Sequence, residues 1–299
     1  MGWVIASAAV LLAAGLALCL WGRRVHAFDL LHRQRSRVAH TRWEPIGPTP
    51  EGENRYTPQG LTWVDGRLVF ANSWQNTRSR VYEIDPAEAT VGRSFDMPPE
   101  AVHTSGFAWD GRWLWAVDYI SHLVYRIDLE ESFARGECIT GGTFRTGLQG
   151  SSACCLLDWQ GERLLAISDF RNTRTTYLVR HHEALEAGHM RGCVVFAYRN
   201  EGFSQGLEWD GRYLYEAENR LHEDIINQMD PDMLLGTRDA ASATVRQWVA
   251  AGCENRRWTK RVSDWIKGVE DLAFDEEGTL YTSDETTFTF YRTTLPPQG

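Results

Sequence analysis

Glu270 and Asp271 stand together at the head of an alternating apolar run, VEDLAFDEEGTLYTSD. Two adjacent acids repel each other unless something positive lies between them, so the pair suits proton transfer or a bound cation. Comparable runs are headed by Gln59, Ser105 and Gln205, and the runs that follow them end in Asn72, Asp118, Asp169, Glu218 and Asp284. Acids and amides clustered on an otherwise hydrophobic scaffold form either a cation site or a substrate-binding mouth. One expectation is a divalent cation, Ca or Zn, held by Glu270 and Asp271; the other is Glu270 acting as acid and base. His103 precedes its own run and, with an intrinsic pKa near neutrality, is a second candidate proton carrier. Phe203 precedes another run and should border the same mouth. The competing reading of Asn72, Asp118 and Asp169 is that each ties down its own loop by hydrogen-bonding nearby amides.

The elements that must position these residues are five hairpins. LTWVDGRLVFANS, FAWDGRWLWAVD, LLDWQGERLLAISD, FSQGLEWDGRYLYEAEN and LAFDEEGTLYTSD turn at glycines 66, 111, 161, 211 and 278, spaced 45, 50, 50 and 67 apart. Gly in a tight turn between two alternating runs is a strong hairpin signal, and repeats of 40 to 50 residues built from strand pairs indicate propeller blades. The sequence therefore predicts an all-β chain: a five-bladed β-propeller of four-stranded antiparallel blades over residues 51–299. Within each hairpin the start of the first strand and the end of the second lie at the same end of the blade. With first strands innermost, the polar heads ring the mouth of a central channel and the polar tails stand just behind. An aromatic precedes every turn (Trp63, Trp109, Trp159, Trp209 and Phe274), and burial of these rings between blades contributes about 2 kcal/mol each.

Outside the repeats, Gly2–Gly22 carries no charge in 21 residues, enough to span a bilayer as a helix. It is read as a retained single-pass anchor (1–22) rather than a cleaved signal, because no positive residue precedes it. Residues 23–50 form a basic linker from which Thr41–Ile46 is expected to close the ring as a strand of the last blade. The long gap before the fifth hairpin predicts an insertion at 220–244 in blade four, acidic through Glu223, Asp224, Asp230 and Asp232, and a possible dock for a protein partner. A net charge of −9 argues against a nucleic-acid surface. The six cysteines show no zinc spacing, and Cys154-Cys155 read as small residues on a buried inner strand.

FSQGLEWDGRYLYEAEN resembles the FTQGL–LYES hairpin of the glutaminyl cyclotransferases, and LVFANSWQNTRSRVYEIDP resembles the blade of that family with a WANxWQ strand. The resemblance covers about two hairpins and implies a five-bladed propeller that converts N-terminal glutamine to pyroglutamate with release of ammonia. It would place Phe203, Gln205, Asn72 and Trp74 in a substrate pocket with Glu270 as acid/base; the hairpin geometry independently adds Gln59, Ser105 and Glu218 to the candidate substrate-binding residues. The matched hairpins occur here in a different order. VEDLAFDEEGTLYTSDE is similar to the acid-pair strand of calcium-dependent lactonases of the gluconolactonase and paraoxonase type, which implies a cation polarising a lactone or ester carbonyl. Gln59, Ser105 and Gln205 stand where that family would have Asn or Asp. The hairpin repeats are also similar to those of strictosidine synthase-like propellers, which speaks to fold alone. Three readings stay open: a cyclotransferase-like enzyme acting on a small molecule or peptide N-terminus, a metal-assisted lactonase or esterase, and a non-catalytic, membrane-tethered propeller that binds a ligand or protein. Arg23, Arg24, Arg33, Arg35 and Arg37 favour a cytoplasmic domain, whereas the resembled families sit outside, so the side of the membrane is open.

Overall fold

The computed structural model describes residues 38–39, 41–51, 56–219, 224–250 and 268–296. The expected anchor, 1–22, and most of the basic linker lie outside the described residues. Among the described residues no helix is long and apolar enough to cross a membrane.

Each hairpin forms as its turn chemistry dictates. All five turn glycines have positive φ, between 81° and 93°, which a side chain would strain. In three turns an aspartate secures the loop. Asp110 Oδ1 accepts from the Arg112 and Trp113 amides, Asp210 Oδ1 from those of Arg212 and Tyr213, and Asp275 Oδ1 from those of Glu277 and Thr279. The other oxygen of each reaches an aromatic on the second strand: Trp115, Tyr215 or Tyr281.

Five sheets result, each with four antiparallel blade strands, in chain order in blades one to four, and with hairpins as inner and second strands. The inner strands are Tyr56–Val64, Thr104–Trp109, Ser151–Trp159, Phe203–Trp209 and Val269–Phe274. Blade five takes its outer strand from the N-terminal side: Glu44–Pro48 pairs antiparallel with Thr289–Thr294, so the closing strand lies two to three residues beyond the expected Thr41–Ile46. Prolines 45 and 48 are tolerated because this is an edge position. Val38–Ala39 adds a short parallel strand to the outer edge of blade four. Single parallel bridges from Asp96 to Glu137, Arg145 to His189 and Arg199 to Asp239 stitch the other outer strands to the next blade in the same way.

The core is five wedges between neighbouring blades rather than one centre. The pre-turn aromatics pack in these wedges: Trp63 stacks on Tyr281 at 5.4 Å, and Phe274 meets Tyr215 edge-on at 4.9 Å. Cys154 and Cys155 are buried and free on the inner strand of blade three.

The expected insertion is a correction. Ile225–Met229 and Thr244–Val249 are the third and outer strands of blade four, joined by short helices at Pro231–Thr237 and Ala240–Ala243. Blades two and three carry a helix at the same connection, Leu129–Arg135 and His181–Ala187. The stretch is therefore a standard part of its blade. The extra length falls instead between Val249 and Val269.

Candidate functional site

Every inner strand breaks register at its head. The irregularities lie at Pro58/Leu61, Thr104/Gly106, Ser151/Ala153, Ser204/Gly206 and Val269/Leu272, the same place in all five blades. A bulge leaves an extra residue out of the ladder and re-aims its neighbours. Here it produces two tiers at the hub. The upper tier is Gln59, Ser105, Ser152, Gln205 and Glu270; the lower is Gly60, Gly106, Ala153, Gly206 and Asp271. The glycines are required by closeness: a Cβ on Gly106 would stand 2.7 Å from Ala153 Cα, and one on Gly206 would stand 2.7 Å from the Glu270 carbonyl oxygen.

Asp271 fills the space that the four small residues leave. Its Oδ2 accepts from the Leu61 amide (3.0 Å) and the Phe107 amide (3.1 Å), and its Oδ1 from the Leu207 amide (3.3 Å) and the Leu272 amide (3.0 Å). The carboxyl thus ties together the inner strands of blades one, two, four and five. It is fully buried, and burial drives its pKa well above the usual carboxylate value against the pull of these amides.

Glu270 lies in the upper tier between two amides. Gln205 Nε2 donates to its Oε1 at 3.2 Å and its Oε2 at 3.3 Å, and Gln59 Nε2 approaches Oε2 at 3.5 Å. Glu270 is 2% exposed, and burial first, then Glu285, Asp284, Asp224 and Asp271, raise its pKa well above the ordinary value. A carboxyl so placed holds its proton toward neutral pH and can exchange it with a polar group arriving at the mouth. Deeper along the same inner strand as Gln205, Glu208 is partly accessible yet enclosed by protein, and burial pushes it up to about 8.

Of the four residues read as heading the hub, Gln59 and Gln205 meet Glu270 by hydrogen bond, while Asp271 turns to backbone amides in the lower tier. The other expected residues serve the walls. Ser105 donates to the Ser151 carbonyl at 2.6 Å, stitching blade two to blade three rather than facing a ligand. Ser152, absent from the sequence-based ring, does the same to the Ser204 carbonyl at 2.7 Å. Asn72 donates to the Pro50 carbonyl at 2.9 Å, and Glu218, fully buried, accepts from the Gly202 amide at 2.7 Å. Asp118, Asp169 and Asp284 each accept amides of the loop that follows them, the loop-tying role.

An aromatic arc borders the hub. His103 lies 5.1 Å from Tyr119, Tyr119 lies 6.3 Å from Phe170, and Phe170 lies 4.6 Å from Phe203, ring centre to ring centre. On blade one, Trp74 lies 6.2 Å from Tyr56, with the Arg78 guanidinium over both rings. His103 bonds to Asn76 through Nδ1, and burial lowers its pKa to about 4, so the imidazole is neutral at pH 7. Among the described residues no hydrogen bond links it to Glu270. Tyr119 and Phe170 were missed, although both follow directly on the second-strand aspartates, in AVDY and ISDF.

The divalent cation expected at Glu270 and Asp271 does not fit the donor set. Asp271 is occupied by four backbone amides, and Gln59 and Gln205 turn their Nε2 groups, which cannot ligate a cation, to Glu270. Among the described residues no three His, Cys, Asp or Glu side chains are grouped to hold a metal ion.

No family model matches the chain, and no curated protein matches its sequence. Its structure is similar to the crystal structure of Myxococcus xanthus glutaminyl cyclase, with a TM-score of 0.59 at 15% identity, covering 87% of this chain and 98% of that one. At that identity the likeness is one of fold, a five-bladed propeller of the glutaminyl cyclase type.

Proposed function

We propose that the hub is a glutaminyl cyclotransferase-like active site acting on a peptide N-terminus or a small molecule with an adjacent amine and carboxamide. The observation that carries this reading is the Glu270 carboxyl, buried at the mouth between the Gln59 and Gln205 amides and raised in pKa by burial and by the acids around it.

An arriving α-ammonium is drawn to this acidic mouth, its charge lowers the pKa of Glu270 so that the resting proton passes to solvent, and the carboxylate then takes a proton from the ammonium. The freed amine attacks the γ-carboxamide carbon of the same glutamine, forming the ring C–N bond. Glu270 then returns the proton to the departing nitrogen, the old C–N bond breaks with loss of ammonia, and the carboxylate takes the surplus proton from the ring nitrogen, leaving pyroglutamate and Glu270 protonated as at the start. Gln59 and Gln205 hold the carboxyl in one orientation, and Phe203 with its aromatic neighbours shields the ring-forming step. Residues 1–22 are the proposed membrane tether; recovery of the chain in the soluble fraction after alkaline extraction would contradict that role.

The test is release of pyroglutamate from a Gln-initiated peptide. Glu270→Gln should lower kcat by about 10²–10⁴, the contribution of a positioned acid/base, while the fold is retained. An unchanged kcat removes Glu270 from the mechanism.

A further inference from the structure

The mouth has two electrical sides. Glu285, Asp284 and Asp224, the acids that raise Glu270, stand at strand ends of blades four and five. On the other side two exposed arginines reach inward. Arg78 opens the third strand of blade one, opposite Trp74 of the second strand, which is itself opposite Tyr56 of the inner strand. Its guanidinium lies 5.4 Å from the Trp74 ring centre and 5.5 Å from that of Tyr56, and it donates to the Tyr56 hydroxyl. The side chain therefore runs across the row from the third strand toward the axis. Arg171 follows the second strand of blade three, and its guanidinium stands 5.8 Å from the ring centre of Tyr119 in the aromatic arc. Its charge is felt at His103, whose pKa it helps to lower.

The protein neutralises neither charge. Among the described residues neither arginine forms an ion pair. Asp96, which feels Arg78, is gripped through both oxygens by Arg80. A guanidinium lying over a ring keeps most of its N–H groups for an anion, and its fork matches a carboxylate. A mouth acidic on one side and cationic on the other fits a zwitterion. The strand sets the separation: Tyr56 stands three residues mouthward of Gln59, about 10 Å at about 3.3 Å per residue. An ammonium about 3 Å from Glu270, followed by two extended residues of about 3.5 Å each, carries a terminal carboxylate to that height.

We propose that the substrate is a glutamine whose next residue bears a carboxylate, its ammonium on the Glu270 side and its carboxylate on the Arg78 and Arg171 side. The glutamine rests on the cyclotransferase-like reading; the carboxylate rests on the rim charges alone.

The test is calorimetric titration of the full chain with product-shaped probes, which report binding without turnover: pyroglutamyl-glycine, its C-terminal amide, and pyroglutamyl-aspartate amidated at its C-terminus. A carboxylate-bearing probe should bind about tenfold or more tighter than the neutral amide, the size of a charge-assisted pair, and the tighter of the two acids identifies whether a terminal or a side-chain carboxylate is read. Arg171→Gln should shrink that ratio to less than about threefold with an unchanged melting midpoint, which separates loss of the charge from loss of the fold. Arg78→Gln should do likewise, with partial recovery in Arg78→Lys. Equal binding of acids and amide, a native ratio in both glutamine variants, or no saturable binding of either acid at millimolar concentration would each overturn the proposal. Release of pyroglutamate from Gln-Gly and Gln-Gly amide is read separately: turnover with equal binding of acid and amide sinks the carboxylate subsite alone, whereas the expected binding ratio without turnover sinks the catalytic reading and leaves the subsite standing.

Discussion

Asp271 and Glu270 share a strand and a peptide bond, yet the bulge between them divides their work. Asp271 turns to four backbone amides, Glu270 to two side-chain amides at the mouth. Asp271→Ala should therefore leave buried N–H groups unmet at about 1–3 kcal/mol apiece, a loss of more than about 4 kcal/mol in denaturant unfolding; a loss below about 1 kcal/mol would contradict the tie. Glu208 supplies a pH test. The unfolded chain releases this proton near 4.5, whereas the folded chain keeps it until about 8. Its contribution is thus fully favourable below pH 4.5 and is lost progressively as pH rises to 8, at up to about 1.4 kcal/mol per pH unit. Glu208→Gln should flatten that slope and stabilise the protein at pH 8; an identical pH–stability curve would count against the assignment. Neither role was legible in the sequence, where Asp271 reads only as half of a repelling pair. Its neutralising partners are backbone amides contributed by distant blades.

The bulged inner strand is the element on which the site depends. It brings Gly206 within 2.7 Å of the Glu270 carbonyl oxygen and 2.9 Å of Asp271 Cα, so the backbone itself would have to move to admit a methyl group. Gly206→Ala should cost about 1–3 kcal/mol through overpacking and also depress turnover by displacing Glu270. Gly66→Ala, at a turn with open space, should cost about 1 kcal/mol from its φ of 84° and leave turnover alone. Equal effects on turnover would mean that hub spacing is irrelevant to the site. The hairpins could be read because Gly turns and alternation are local signals. The hub of blade three could not, since SSACC has neither the Gln nor the Gly of QGL, and Ser152 was overlooked. The third strand of blade four reads as part of an insertion for a similar reason. IINQM lacks the charged, Tyr-containing form of RVYEI, and the helices after it suggested a flap, although blades two and three have the same feature.

For the whole molecule, closure depends on Glu44–Pro48 covering the edge of Thr289–Thr294. A chain beginning at residue 49 would bare that edge, and unpaired edges invite association. It should melt at lower temperature and run as larger species in gel filtration; a monomer with the native midpoint would show that the clasp is dispensable. Ring size and the use of an N-terminal strand for closure were legible from repeat spacing and the position of WEPIG. The exact register was not, because Pro45 and Pro48 obscure a strand that pairs on one side only.

The clasp also governs timing. Both hub acids belong to the inner strand of the last blade, whereas the strand that completes that blade emerges from the ribosome before every other strand except the two-residue Val38–Ala39. A nascent chain must therefore keep its leading segment unspent until the trailing one arrives, and any translation product halted after four blades lacks both hub acids altogether. Under the proposed reading of Glu270, truncated chains would be chemically silent rather than promiscuously active.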